Sequence, residues 1–252
     1  MTINAPVPEQ IPQLRDLWQE AFRDPETFLD DFFAVAFSPD RCRCVCMDGK
    51  VAAALYWFGC SHLGQPIAYI YAVATAKECR GQGLCHKLME HTHAHLEGLG
   101  YAGAVLVPGS GTLFRLYADM GYQVCGGVSE FACAPKVQGL TLCQVDKEAY
   151  ADLRRQLLPV GGVVQEGKNL DFLQTQATLY SGPGILLAAR QEEDRLHGIE
   201  LLGDTAVAPG ILHALGCASG TFRGPGDTPF AMYRPLGSST LPAPAYFGLP
   251  FD

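Results

Sequence analysis

Apolar residues recur at Ile11, Leu14, Leu17, Trp18 and Ala21, a 3.6-residue period that predicts a helix over 10–22. A second helix is expected next, with Asp24 as its cap, Pro25 in its first turn and Phe28, Leu29, Phe32, Phe33 and Val35 on its apolar side. The pattern then changes to that of strands. Residues 41–47 and 51–58 flank Asp48-Gly49 and predict a hairpin, and 66–75 reads as a buried strand. A helix beginning after Gly83 carries Leu84, Leu88, Met89, Thr92 and Leu96 on one side and stops at Gly98–Gly100. A strand over 102–107, a short helix over 112–120 and a hairpin over 122–133 broken at Gly126-Gly127 complete the first half.

From residue 136 a comparable series begins: a strand over 140–145, helices over 147–158 and 170–179, strands over 185–190 and 196–202, a helix over 209–215 and a last strand over 229–233. Leu116-Tyr117-Ala118-Asp119-Met120-Gly121 is faintly echoed by Leu212-His213-Ala214-Leu215-Gly216, a weak internal repeat. The proline-rich tail, 235–252, is expected to lie on the surface. Strands alternating with helices imply a layered α/β (mixed α+β) protein.

Composition narrows the picture. The 252 residues, 48% hydrophobic, suffice for two domains, and a net charge of −8 disfavours a nucleic-acid partner, which clustered cations would have to hold. No apolar window is long enough to cross a bilayer. The first thirteen residues do not read as a secretory signal, so a cytoplasmic protein with ten reduced cysteines is expected, with no membrane partner. Cys42, Cys44 and Cys46 should share one strand face with Cys60 across the hairpin. Alternate side chains on a strand lie roughly 6–7 Å apart, too far to close one tetrahedral ion. His91 and His95 are four apart on a helix, without the intervening Glu of a metalloprotease motif. No metal is expected.

The segment with chemical content runs from Val73-Ala74-Thr75 through Arg80-Gly81-Gln82-Gly83-Leu84-Cys85. A buried strand, a glycine-rich turn and a helix start together aim backbone N–H groups and a helix dipole at one point, an anion site to which Arg80 adds positive charge. Glycines at 81 and 83 allow close approach. The spacing is that of neither a P-loop nor a dinucleotide fingerprint.

With the later Leu116-Tyr117-x-x-x-Gly121-Tyr122, this ordered set resembles the GNAT (Gcn5-related) acyl-CoA N-acyltransferases over roughly residues 10–134. The resemblance implies a central mixed sheet flanked by helices, with acetyl-CoA or another coenzyme A thioester as cosubstrate. Val73, Ala74 and Thr75 would run beside the pantetheine arm. Arg80, Gly81, Gln82, Gly83, Leu84 and Cys85 would hold the pyrophosphate. Cys85 stands where the family usually has Gly or Ala, and Ser110 where it commonly has Asn. Tyr117 is implied as the acid that protonates the leaving thiolate, a role suited to a phenol of ordinary pKa near 10.

No general base stands out among Tyr69, Tyr71, His62 and Glu26. A helix start can activate a thiol, so Cys85 beside His86 is also considered as a hydrolase nucleophile. No comparable glycine turn occurs after residue 136, so a catalytic domain over 1–135 and a second, degenerate copy over 136–252 are expected, as in tandem members of that family. The expected activity is acetyl transfer from acetyl-CoA to a primary amine of a small molecule or peptide. The alternative is a non-catalytic acyl-CoA-binding regulatory or interaction module.

Overall fold

The computed structural model describes residues 1–250. In chain order the elements are β1 (Thr2–Asn4), α1 (Ile11–Phe22), α2 (Glu26–Asp31), β2 (Cys42–Met47), β3 (Lys50–His62), β4 (Gln65–Thr75), α3 (Leu84–Gly98), β5 (Gly103–Leu106) and α4 (Gly111–Ala118). They continue with β6 (Gln123–Cys133), β7 (Cys143–Gln144), α5 (Lys147–Leu157), β8 (Val164–Gln165), α6 (Lys168–Gln176), β9 (Thr178–Gly182), β10 (Ile185–Glu192), β11 (Arg195–Gly203), α7 (Ala208–Leu215), β12 (Ser219–Pro225) and β13 (Thr228–Pro235). The architecture is the expected mixed α+β, with sheet flanked by helices.

Two compact units result: Met1–Gln123 with Met232–Ala243, and Val124–Ala231 with the residues from Pro244 on. These are not the contiguous halves 1–135 and 136–252. Most of β6 falls in the second unit because Val128–Cys133 pairs along β12, and Met232–Pro235 falls in the first because it pairs with β5.

In the first unit the strands run β1-β2-β3-β4-β5 and then the end of β13, with β4 and β5 parallel and the other pairs antiparallel. Asp48-Gly49 joins β2 to β3 with both residues at positive φ, 50° and 80°, as a two-residue turn matched to strand twist requires. Alternation along β3 divides its side chains between two layers. Ala53, Leu55 and Trp57 pack with Leu84, Leu88, Met89 and Leu96 of α3. Tyr56 and Phe58 instead join an aromatic layer under α1 and α2, where the rings of Trp18 and Phe32 lie 4.6 Å apart. Asp24 does not cap α2. Its carboxylate accepts from the Trp18 indole at 2.8 Å, and α2 starts after Pro25 without a side-chain cap.

The second unit orders its strands β7-β9-β10-β11-β12-β6. Ile211 and Leu212 of α7 cover Leu187, Ala189, Leu196 and Phe222. Arg154 of α5 makes a bidentate pair with Glu200, with Nε–Oε2 at 2.7 Å and Nη2–Oε1 at 2.9 Å, and both side chains are buried. Burial works to lower the Arg154 pKa, but Glu200 more than offsets it and holds the guanidinium charged. The order hairpin, helix, parallel strand occurs in both units: β3–β4, α3 and β5, then β10–β11, α7 and β12.

Two expectations fail in this unit. Residues 123–133 form one strand, not a hairpin. At Gly126, φ is +57°, and a Cβ there would meet the Phe247 backbone nitrogen at 2.9 Å, so the glycine permits close packing of chain on chain instead of a turn. The tail is not a surface strap: Tyr246, Phe247 and Leu249 are buried, and the Tyr246 hydroxyl donates to Glu200 at 3.0 Å. Strand β12 has no counterpart in the expected elements. Its Ser-Gly-Thr-Phe-Arg-Gly-Pro sequence alternates weakly and takes its register from β11 and β6.

Candidate functional site

Strands β4 and β5 pair only where Ile67–Tyr69 faces Gly103–Val105, although β4 continues to Thr75. From Ile70 onward β4 keeps β3 on one side and has no ladder with β5 on the other. A bulge coincides with the separation: Tyr56 pairs with Tyr71 and Ala54 with Ala74, so Ala72 and Val73 together oppose Leu55. Ala72 has φ +48°, a left-handed conformation that is costly for a residue with a Cβ. The bulge bends β4 and leaves backbone unpaired just before the glycine turn. Nothing in the sequence signals it, since the strand reads as continuous.

The turn itself is built from positive φ. Gly81 and Gly83 have φ +76° and +72°, and a Cβ on either would meet no heavy atom within 4 Å. These glycines border open space; they are not wedged against protein. Among the described residues, the N–H groups of Gly81, Gln82 and Gly83 have no partner, and α3 begins at Leu84 without a side-chain cap. Arg80 is exposed and folds back, Nε donating to the Thr75 carbonyl at 3.1 Å. Gln82 Nε2 donates to Glu78 O at 3.4 Å. Just upstream, Glu20 of α1 accepts from the Lys77 N–H at 2.6 Å, a contact that fixes the loop and that sequence reasoning missed.

Tyr117 reaches the same neighbourhood from α4. It is 6% exposed, in the apolar cluster that holds Leu84, Leu88 and Leu106, with Val73 and Cys85 packed against it. Burial raises its pKa well above the ordinary phenol value, and the nearby Cys85 sulfur adds to the effect. The unperturbed value expected from sequence is therefore corrected upward. The Tyr122 ring meets Tyr117 edge-on at 5.9 Å, and its hydroxyl lies 2.7 Å from His93 Nε2. Burial, followed by the Arg234 charge, lowers the His93 pKa to about 3, so this imidazole is neutral.

Burial also raises the Cys85 pKa, overriding the helix-start effect and keeping the side chain a thiol at neutral pH. That argues against the hydrolase reading. Ser110 is exposed, its hydroxyl 3.0 Å from that of Thr112.

The residues considered as bases do not converge on this point. His62 is at the far end of β3, opposite Gln65, about 33 Å along the strand from Thr75 at ~3.3 Å per residue, and contacts the Pro242 carbonyl. Glu26 is engaged with Arg15 and Gln19 on the surface, while Tyr69 and Tyr71 belong to the aromatic layer.

The thiols and imidazoles hold no metal cluster among the described residues. Cys44 and Cys46 approach to 3.8 Å because a register shift separates Val45 from Cys46, but Cys60 faces Ile67 and not the three cysteines. His95 is 2.5 Å from Arg43 Nη2, and His86 pairs with Glu90. Among the described residues no helix is long and apolar enough to cross a membrane.

No curated protein sequence matches the chain. Solved structures do match, at identities that speak to the fold. A GCN5-related N-acetyltransferase from Kribbella flavida superposes with a TM-score of 0.68 at 15% identity, covering 92% of this chain and 70% of that one. One from Anabaena variabilis gives 0.70 at 20%, covering 92% and 72%. A third, from Sphaerobacter thermophilus, gives 0.59 at 14% over 98% of both chains. The sequence itself matches the family model for the acetyltransferase (GNAT) domain over residues 3–125, the stretch that holds the separated strands, the glycine turn and Tyr117. Over those residues the chain is similar to the GNAT acetyltransferase family.

Proposed function

We propose that this protein transfers an acetyl group from acetyl-CoA directly to a primary amine of a small molecule or peptide. The observation that carries the reading is the conjunction of three unpaired N–H groups at Gly81–Gly83, an open edge of β4 beginning at its bulge, and a buried protonated phenol at Tyr117 beside Cys85. Coenzyme A fits this chain's donor set: the space over Gly81 and Gly83 is clear of side chains, and the free amides suit a pyrophosphate. Val73, Ala74 and Thr75 would lie along the pantetheine arm. Arg80, Gly81, Gln82, Gly83, Leu84 and Cys85 would surround the phosphates, and Ser110 retains a hydroxyl able to accept a further bond.

Acetyl-CoA brings the acyl group already activated as a thioester. A backbone N–H near Ala74 polarises the carbonyl under attack. Tyr117, protonated throughout the neutral range, gives its proton to the departing sulfur. The amine's own proton leaves through water, since His62 and Glu26, considered as bases, are engaged elsewhere. The second unit is read as a degenerate copy, on the recurrence of hairpin, helix and parallel strand without a bare glycine turn.

Changing Tyr117→Phe tests the chemistry. A fall of about 10²-fold or more in kcat, with coenzyme A affinity unchanged within about twofold, is expected. An unchanged rate removes Tyr117 from the chemistry, and the absence of thiol release with any amine favours simple binding. No rise in melting midpoint with millimolar coenzyme A would overturn the cosubstrate as well.

A further inference from the structure

The second unit holds a cavity of about 400 Å3 on the face of its sheet opposite α7. Its walls follow from register. Arg190 pairs with His197, His197 with Thr221, and Arg223 with Glu130, so these side chains emerge on one face of four adjacent strands, over Ile199. His197 Nδ1 lies 3.2 Å from the Thr221 hydroxyl, and the Arg223 guanidinium stacks 5.1 Å over Phe230. Both arginines line the cavity, and the stacking restricts Arg223.

Their Nε groups are the unusual feature. Arg190 Nε and Arg223 Nε are sealed from solvent, yet neither makes a hydrogen bond. Glu192 approaches Arg190 at 3.7 Å and Glu130 approaches Arg223 at 3.4 Å, but both carboxylates are more than 60% exposed and neither completes a bond to Nε. Exposed carboxylates of this kind are weakly held and easily displaced. Neither Nε has a hydrogen-bond acceptor, and what an oxyanion in the cavity would meet is the outer part of each guanidinium, on side chains that are 39% exposed for Arg190 and 13% for Arg223. The volume admits more than a bare ion, and its lining is mixed, with Phe131, Ile199 and Phe222 beside the polar groups and Glu130 at its edge.

We propose that this cavity binds a small organic anion through its carboxylate or phosphate group, held between Arg190 and Arg223. The site is independent of the acyl-transfer reading: every residue lining it belongs to the second unit, whose net role in that reaction is not invoked.

The test uses the full chain carrying Arg80→Gln, which weakens phosphate binding at the glycine turn. Inorganic phosphate and succinate are titrated at constant ionic strength, following arginine Nε–Hε resonances and the melting midpoint. The expected result is movement of two such resonances, those missing from Arg190→Gln and from Arg223→Gln. Each of these variants should bind the better probe at least about tenfold more weakly, as loss of a charge-assisted bond implies. Arg223→Lys, which keeps the charge and loses the fork, should also bind more weakly. Immobile arginine resonances at concentrations that fill millimolar sites would overturn the proposal without any variant having to fold. So would equal binding by the parent and all three variants, and neither result bears on coenzyme A.

Discussion

The two crossovers, β4 into α3 and β11 into α7, have the same topology and opposite chemistry. After β4, Gly81 and Gly83 border open space and their amides are bare, with Arg80 alongside. After β11, Gly203 is a glycine for another reason: a Cβ there would run into the Gly184 carbonyl of the neighbouring turn. Asp204 then takes the Ala206 N–H at 2.9 Å, placing a carboxylate at the mouth of the turn, and Pro209 removes a donor from the first turn of α7. In the second unit a carboxylate of the chain itself thus occupies the single 3-10 turn 205–207 ahead of α7, although α7, like α3, has no side-chain cap of its own. In the first, the N–H groups of Gly81, Gln82 and Gly83 have no partner among the described residues. Topology thus repeats where the occupation of the N–H donors and of the space beside the glycines does not.

The contrast can be strained at several points. The largest effect is expected from Arg154→Met, which strands the buried Glu200 and should destabilise the second unit by about 3–5 kcal/mol in denaturant unfolding. Coenzyme A binding that survives this change would show that the glycine turn needs only the first unit. Next is Gly83→Ala. It forces a Cβ into a left-handed residue at a cost of about 1–2 kcal/mol and places it where the phosphates would lie, so coenzyme A affinity should fall at least about tenfold by calorimetry. Asp204→Ala should cost about 1 kcal/mol, the usual worth of such a cap. If the same variant gained phosphate binding in the second unit, one carboxylate would account for the whole contrast.

The smallest expected effect is in pH. The Tyr117 pKa is raised in the fold, so its neutral form is the one folding favours. Its contribution to stability is complete below about pH 10, where a free tyrosine begins to ionise, and is lost as pH rises further. The kcat profile should accordingly show no alkaline fall due to Tyr117 below about pH 10. A fall near pH 8 in wild type that is absent from Tyr117→Phe would contradict the buried phenol.

Much of the first unit was readable because its signals are local. The Asp48-Gly49 turn, the period of α3 and the Arg80–Gly83 turn each depend on residues close in sequence, and the elements lie within a few residues of expectation. Tyr117 was singled out by the resemblance and its spacing from Gly121, but its environment was not legible. Its raised pKa comes from burial among Leu84, Leu88 and Leu106, which are distant in sequence. The misread places depend on remote partners: Gly126 on Phe247, Asp24 on the Trp18 indole, and the tail on a pocket around Glu200. Arg190, Arg223 and His197 sit in unremarkable strand sequences and meet only because three registers align them.

The sequence alone therefore determined the fold class, most elements of the first unit and the place of the glycine turn, since periodicity, glycine conformation and helix starts are written within a few residues. Tertiary structure decided three further things: the separation of β4 from β5 at a bulge no residue announces, the assignment of β6 and β13 to their units, and which glycine turn stays open. Each of these is settled by hydrogen-bond partners far along the chain, and local pattern carries no information about them.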